Sequence, residues 1–61
     1  MRNWLKQERI KQGLTQEKIA VASEISRAYY NMIERGNRTP LPDIAIKIAN
    51  NLSIDWTNFY K

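Results

Sequence analysis

Apolar residues recur along this chain at helical spacing, in short runs separated by turn residues. The first run predicts a helix over 2–12. Leu5 and Arg9 lie four apart there, Trp4 sits beside Leu5, and Ile10 extends the apolar side, with Lys6, Gln7 and Lys11 facing water. Gly13 supplies a left-handed stop. A second helix over 15–22 turns Ile19, Ala20 and Ser23 inward and Gln16, Glu17, Lys18 and Val21 outward. A third, over 26–35, buries Tyr30 and Ile33. Gly36 ends it, and Asn37-Arg38-Thr39-Pro40-Leu41-Pro42 reads as loop. Pro42 suits the first turn of a fourth helix, 42–51, because its missing N–H would be unpaired there anyway. Ile44, Ala45, Ile48, Ala49 and Leu52 form its core side, and Asn50-Asn51 breaks it. Ile54-Asp55 then opens a last short helix carrying Trp56, Phe59 and Tyr60.

The helix starts are marked chemically. Thr15 is a natural N-cap, since its hydroxyl can accept from a free backbone N–H of the next turn. Leu14 before it and Ile19 five residues on have the spacing of a hydrophobic staple. Ser26 repeats the device with Ile25 and Tyr30, and Asp55 with Ile54 and Phe59. Two capped helices as close as the second and third must cross steeply, which is the geometry of a helix-turn-helix. Glu24 lies in the turn between them, where glycine would be easier if the backbone takes positive φ.

Composition narrows the function classes. Sixty-one residues allow one small domain over 1–61, of a size that buries roughly 60% of its surface. The chain has no cysteine and no histidine, so disulfides, thiolate zinc sites and the usual general base are absent, and the acids are not clustered. An enzyme is not expected, nor a cofactor or metal. No apolar run approaches the ~20 residues of a membrane span, and the N-terminus lacks a signal-peptide apolar region. These features favour a cytoplasmic protein with no membrane partner. Ten Lys and Arg against six Asp and Glu give a net charge of +4, which suits a polyanion but equally a merely soluble surface.

The third helix carries the sharpest candidate chemistry. Opposite Tyr30 and Ile33 the wheel places Ala28, Met32 and Arg35, with Asn31 on one flank and Arg27 at the exposed N-terminal end. Asn can pair with adenine, Arg with guanine, and Ala or Met can touch a thymine methyl. The same face is also consistent with a plain solvated surface holding one exposed Met.

Arg9-Ile10-Lys11-Gln12-Gly13-Leu14-Thr15-Gln16-Glu17 resembles the entry signature of the lambda-repressor/Cro (XRE) family of bacterial and phage helix-turn-helix regulators. Ile25 to Gly36, followed by Arg38-Thr39-Pro40, is similar to that family's recognition helix and exit loop, and the tail from Ile44 to Phe59 matches its small stand-alone members. The resemblance covers nearly the whole chain. It implies an all-α fold, a compact bundle of five short helices with a helix-turn-helix, and a double-stranded DNA-binding transcriptional regulator of the repressor type.

The resemblance also implies roles. Arg9 and Glu34 would be a structural pair joining the first helix to the end of the third. Arg27, Ala28 and Met32 occupy base-contact positions, with Tyr29 and Asn31 as neighbours. Thr15, Gln16 and Arg35 would meet phosphate, with Gln16 also able to brace the first side chain of the third helix. Asn37, Arg38 and Thr39 resemble the segment that grips the backbone. Two residues depart from the family pattern: Glu24 replaces a frequent turn glycine, and Glu8 stands where many members carry a core leucine.

One recognition helix reads too few base pairs to find a single site, and pairing is the usual remedy. A homodimer is therefore expected, with Trp56, Phe59 and Tyr60 as its contact. Otherwise Trp56 and Phe59 close the bundle floor and only Tyr60 is exposed. The competing class is a protein-interaction module or antitoxin that keeps the fold, and a protein antagonist or co-regulator is a further partner under either reading.

Overall fold

The computed structural model describes residues 1–61. Four α-helices are present: α1 Asn3–Lys11, α2 Gln16–Ala22, α3 Arg27–Arg35 and α4 Pro42–Leu52. The fifth expected helix is instead a single 3-10 segment, Trp56–Tyr60. Asp55 caps it, its Oδ1 accepting from the Thr57 N–H at 3.0 Å and from the Thr57 hydroxyl at 2.8 Å. Over five residues the tighter i→i+3 form suffices. No helix is long and apolar enough to cross a membrane.

Three of the four α-helices end and restart by one device. A residue just past each α-helix adopts the left-handed conformation: Gly13, Glu24, Gly36 and Ser53, with φ of 72°, 62°, 84° and 56°. The next N–H then reaches back five residues: Leu14 to Arg9, Ile25 to Ala20, Asn37 to Met32 and Ile54 to Ala49. These are Schellman closures. Leu14, Ile25 and Ile54 also pack against the core and immediately precede the caps Thr15, Ser26 and Asp55. One apolar residue thus closes one helix and staples the next. The cap oxygens of Thr15 and Ser26 accept from Lys18 N–H at 3.1 Å and Tyr29 N–H at 3.0 Å. After Gly36 the residue is Asn37, which is exposed, and the chain there runs on as a loop to Pro40.

The turns fold the helices around a core of Leu5, Ile19, Ala20, Tyr30, Ile33, Ala45, Ile48, Leu52 and Phe59. α2 packs on both α3 and α4, α1 packs on α3, and the 3-10 segment covers α4. The Cα radius of gyration is 9.9 Å, as expected for a compact chain of this length. Leu5 is the single buried residue of α1. Ile10 does not join the apolar side and is 51% exposed. Five residues along a helix is about 140° of rotation from Leu5, which carries Ile10 off the inward face.

Two further expectations change. Asn50-Asn51 does not break α4, which runs on to Leu52. Asn51 Nδ2 donates to the Lys47 carbonyl at 3.0 Å and to Ser23 Oγ at 3.2 Å, tying α4 to the end of α2. Glu8 leaves no defect under α1. Its carboxylate accepts from Gln12 Nε2 at 3.0 Å, and the same Nε2 donates to the Leu52 carbonyl at 2.8 Å.

Glu24 carries a side chain in a conformation that suits glycine, and its carboxylate meets Lys47 Nζ at 2.9 Å at the surface. Glu24→Gly is expected to raise Tm by roughly 4–8 °C, the effect in a domain this small of removing one left-handed side-chain conflict. Glu24→Ala keeps the conflict and should give no such rise. Equal Tm values for the two variants in a thermal melt would show that the turn is unstrained.

Candidate nucleic-acid interface

α3 divides into an inner and an outer face. Tyr30, Ile33 and Glu34 are buried, while Arg27, Ala28 and Arg35 are exposed and Tyr29, Asn31 and Met32 are half-buried. Tyr29 packs against the core cluster, so its ring is partly committed to structure. The Ser26 cap leaves Arg27 as the first residue of the helix, projecting beside α2. Gln16, Arg27, Ala28 and Asn31 line one shallow surface depression of the chain. A second adjoins it at Gln16 and Arg27 and runs along Thr15 and Glu17 toward Arg9.

The two depressions are held by a buried polar network. Arg9 Nε donates to Glu34 Oε2 at 2.8 Å and Nη2 to Oε1 at 3.1 Å, a bidentate pair with side chains 12% and 2% exposed. Arg9 Nη1 donates to the Leu14 carbonyl at 2.9 Å, so the same guanidinium fastens the turn into α2. Gln16 Nε2 donates to Glu34 Oε1 and to Asn31 Oδ1, both at 3.1 Å. The brace from Gln16 therefore reaches Asn31 in the second turn of α3, and Arg27, the first side chain, is left outside it. Both amide hydrogens of Gln16 are engaged inside the chain, which leaves its side chain no donor for a phosphate.

This network sets the ionisation of its members. Burial pushes the Glu34 carboxyl up, but hydrogen bonds from Arg9 and Gln16, the Tyr30 hydroxyl beside it and the Arg9 charge together hold it below its ordinary 4.5. Arg9 is raised, chiefly by its hydrogen bond to Glu34. Burial raises the Tyr30 hydroxyl, which faces the pair without meeting hydrogen-bond geometry to either partner.

At the carboxyl end of α3, Arg2 does what no sequence pattern signals. Its backbone N–H donates to the Glu34 carbonyl at 2.8 Å. Its Nη1 donates to the Ile33 carbonyl at 2.6 Å and the Arg38 carbonyl at 2.9 Å, and Nη2 to Thr39 Oγ1 at 3.0 Å. The guanidinium also lies 5.8 Å from the Phe59 ring centre. Positive charge at the carboxyl end of a helix is favourable, and here it fixes the loop at 37–39 as well. Its partners lie more than thirty positions away, so local periodicity could not find it. Asn37 and Arg38 remain exposed beside Arg35.

The three C-terminal aromatics separate. Phe59 is 4% exposed in the core, with Trp4 edge-on to it at 5.1 Å. Phe59 is thus withdrawn from the expected dimer contact, because the bundle floor needs it. Trp56 and Tyr60 stay at the surface, edge to face at 5.9 Å, and Tyr60 donates its hydroxyl to the Pro40 carbonyl at 2.6 Å. No three His, Cys, Asp or Glu side chains converge to hold a metal.

Against known proteins, a family model described as Helix-turn-helix matches residues 5–59. The whole chain is 49% identical to the uncharacterized HTH-type transcriptional regulator YqaF of Bacillus subtilis (strain 168), covering 80% of that protein. No solved structure gives a significant match.

Glu34→Ala should destabilise the chain by about 3–5 kcal/mol, because it leaves the Arg9 charge enclosed without its partner. Glu17→Ala, at an exposed position, should change little. The folded-state value of Glu34 is lowered, so its contribution is present above 4.5 and is lost as pH falls through that lowered value. Urea melts across pH 2–7 are expected to show this loss in the wild type and a flatter profile for Glu34→Gln. Equal pH profiles would mean that Glu34 is not held as the anion.

Proposed function

Because the chain belongs to the XRE-type helix-turn-helix family of DNA-binding transcriptional regulators, we propose that α3 enters the major groove of double-stranded DNA and reads a specific operator. The observation that carries this reading is the outer face of α3. Arg27 and Ala28 are exposed beside a depression floored by Gln16 and Asn31, on a helix whose inner face is fixed by the Arg9–Glu34 pair. Arg27 reaches guanine O6 and N7 with two donors, and Ala28 and Met32 offer apolar contact to a thymine methyl. Asn31 meets the neighbouring base edge, with Tyr29 at its side.

The phosphate contacts flank that face. Thr15 still has its hydroxyl proton to give while its oxygen caps α2. Arg35, Asn37 and Arg38 extend from the far end of α3 into the loop that Arg2 and Thr39 brace. These groups fix register, and the base contacts fix sequence. Occupation of a promoter site by such a chain acts as repression. Two copies related by a two-fold axis, meeting through Trp56 and the open side of Tyr60, place their α3 helices about 34–36 Å apart on an inverted repeat.

Selection from a random duplex pool, followed by titration over a range of salt, tests the reading. Binding to the selected site should weaken with salt at about −0.9 in log K per log salt for each phosphate neutralised. Arg27→Ala should lose about 1–3 kcal/mol at one guanine position and relax preference there. Footprints should cover two half-sites one turn apart. A salt-independent interaction, or unchanged preference in Arg27→Ala, would count against α3 as the reading helix.

A further inference from the structure

An asparagine on a recognition surface is ordinarily ambivalent. Its amide has a donor end and an acceptor end of nearly equal size, and turning it over changes what it reads. In this chain the choice is made from inside. Glu34 is a carboxylate held in its charged form by two donors from Arg9. An ionised carboxylate can only accept. The end of the Gln16 amide that lies 3.1 Å from Glu34 Oε1 must therefore be its NH2 group. That nitrogen has a second hydrogen, and it points at Asn31 from 3.1 Å. An NH2 group cannot face another NH2 group without repulsion, so Asn31 turns its oxygen inward and its own NH2 outward, toward the depression it lines with Arg27.

We propose that Asn31 is a specificity-determining residue whose polarity is locked by the Arg9–Glu34–Gln16 chain, so that it offers only N–H donors to the DNA. This rests on the reading that α3 lies in the major groove. The base edges that suit it are acceptors: guanine O6 and N7, or thymine O4. Cytosine presents its N4 amino group at that place and is rejected. Adenine keeps N7 as an acceptor but loses the bidentate pairing asparagine usually gives it, because the oxygen its N6 amino group needs is turned away and engaged by Gln16. Gln16 in turn is a positioning residue: it directs Asn31 without donating its side-chain amide to the DNA.

The test uses the full chain on a selected site and on the three other base pairs at the position Asn31 protects, and it reads ratios of affinity. The wild type should favour guanine or thymine over cytosine by roughly tenfold or more, the discrimination of one good edge contact. Asn31→Asp keeps the shape and still accepts from Gln16, but it replaces the outward donors with an oxygen. Its affinity should fall at every sequence from the added negative charge, while its preference turns toward the amino-bearing bases, cytosine or adenine. Gln16→Ala frees Asn31 to turn, so adenine should gain on guanine. By NMR, the Gln16 side-chain amide protons should exchange slowly with solvent and the Asn31 amide protons fast, a readout that needs neither variant to fold.

Preference unchanged in Asn31→Asp, wild-type preference for adenine that requires Asn31, or fast exchange at Gln16 would each overturn the lock while leaving α3 as the reading helix. Failure of the wild type to bind any selected duplex would overturn the underlying functional reading, and this inference with it.

Discussion

The Arg9–Glu34 pair is the contact on which the arrangement of α1, α2 and α3 depends. Removing two charges from water is costly, and such a pair adds little net stability over well-packed apolar residues. Its value here is geometric. Four hydrogen bonds must form together: Glu34 takes two from Arg9 and one from Gln16, and Arg9 gives a third to the Leu14 carbonyl. A greasy core of Leu5, Ile19 and Ile33 alone would tolerate sliding or rotation of α3. The buried network does not.

A second constraint is economy of turns. The chain reverses direction between short helices, and it does so three times with a left-handed residue, an apolar residue and a capping residue in succession: Gly13-Leu14-Thr15, Glu24-Ile25-Ser26 and Ser53-Ile54-Asp55. Each triplet satisfies carbonyls at one helix end and an N–H at the next start, while its central side chain anchors the corner to the core. The outward direction of α3 follows from the second triplet, because Ser26 fixes where the helix begins and hence which residues face away.

Much of this is legible in the sequence because it is local. The caps Thr15, Ser26 and Asp55, the stop at Gly13 and the strain at Glu24 each involve residues within five positions of one another, and all stand where the pattern places them. The inward face of α3 follows from periodicity alone. What the sequence conceals depends on distant partners. Arg2 is one more basic residue until the carboxyl end of α3 and the loop at 37–39 come to it. Gln16 reads as an outward residue, and its inward direction comes from a carboxylate eighteen positions away. Phe59 and Tyr60 differ in burial although adjacent, because the 3-10 segment turns only one of them beneath Trp4. Asn51 looks like a helix breaker until Ser23 is beside it.

The link between the buried pair and recognition can be measured in one variant. Replacing Arg9 and Glu34 together with methionine removes the charges but leaves apolar volume, a change that buried pairs often tolerate without loss of stability. Gln16 then has no carboxylate to direct it, and Asn31 is free to turn. Binding of this double variant to the selected duplex and its single-base changes, compared with the wild type, gives the decisive comparison. The double variant is expected to fold, to keep its salt-dependent affinity and to lose its preference at the Asn31 position. A folded chain that keeps the full wild-type preference would contradict that link.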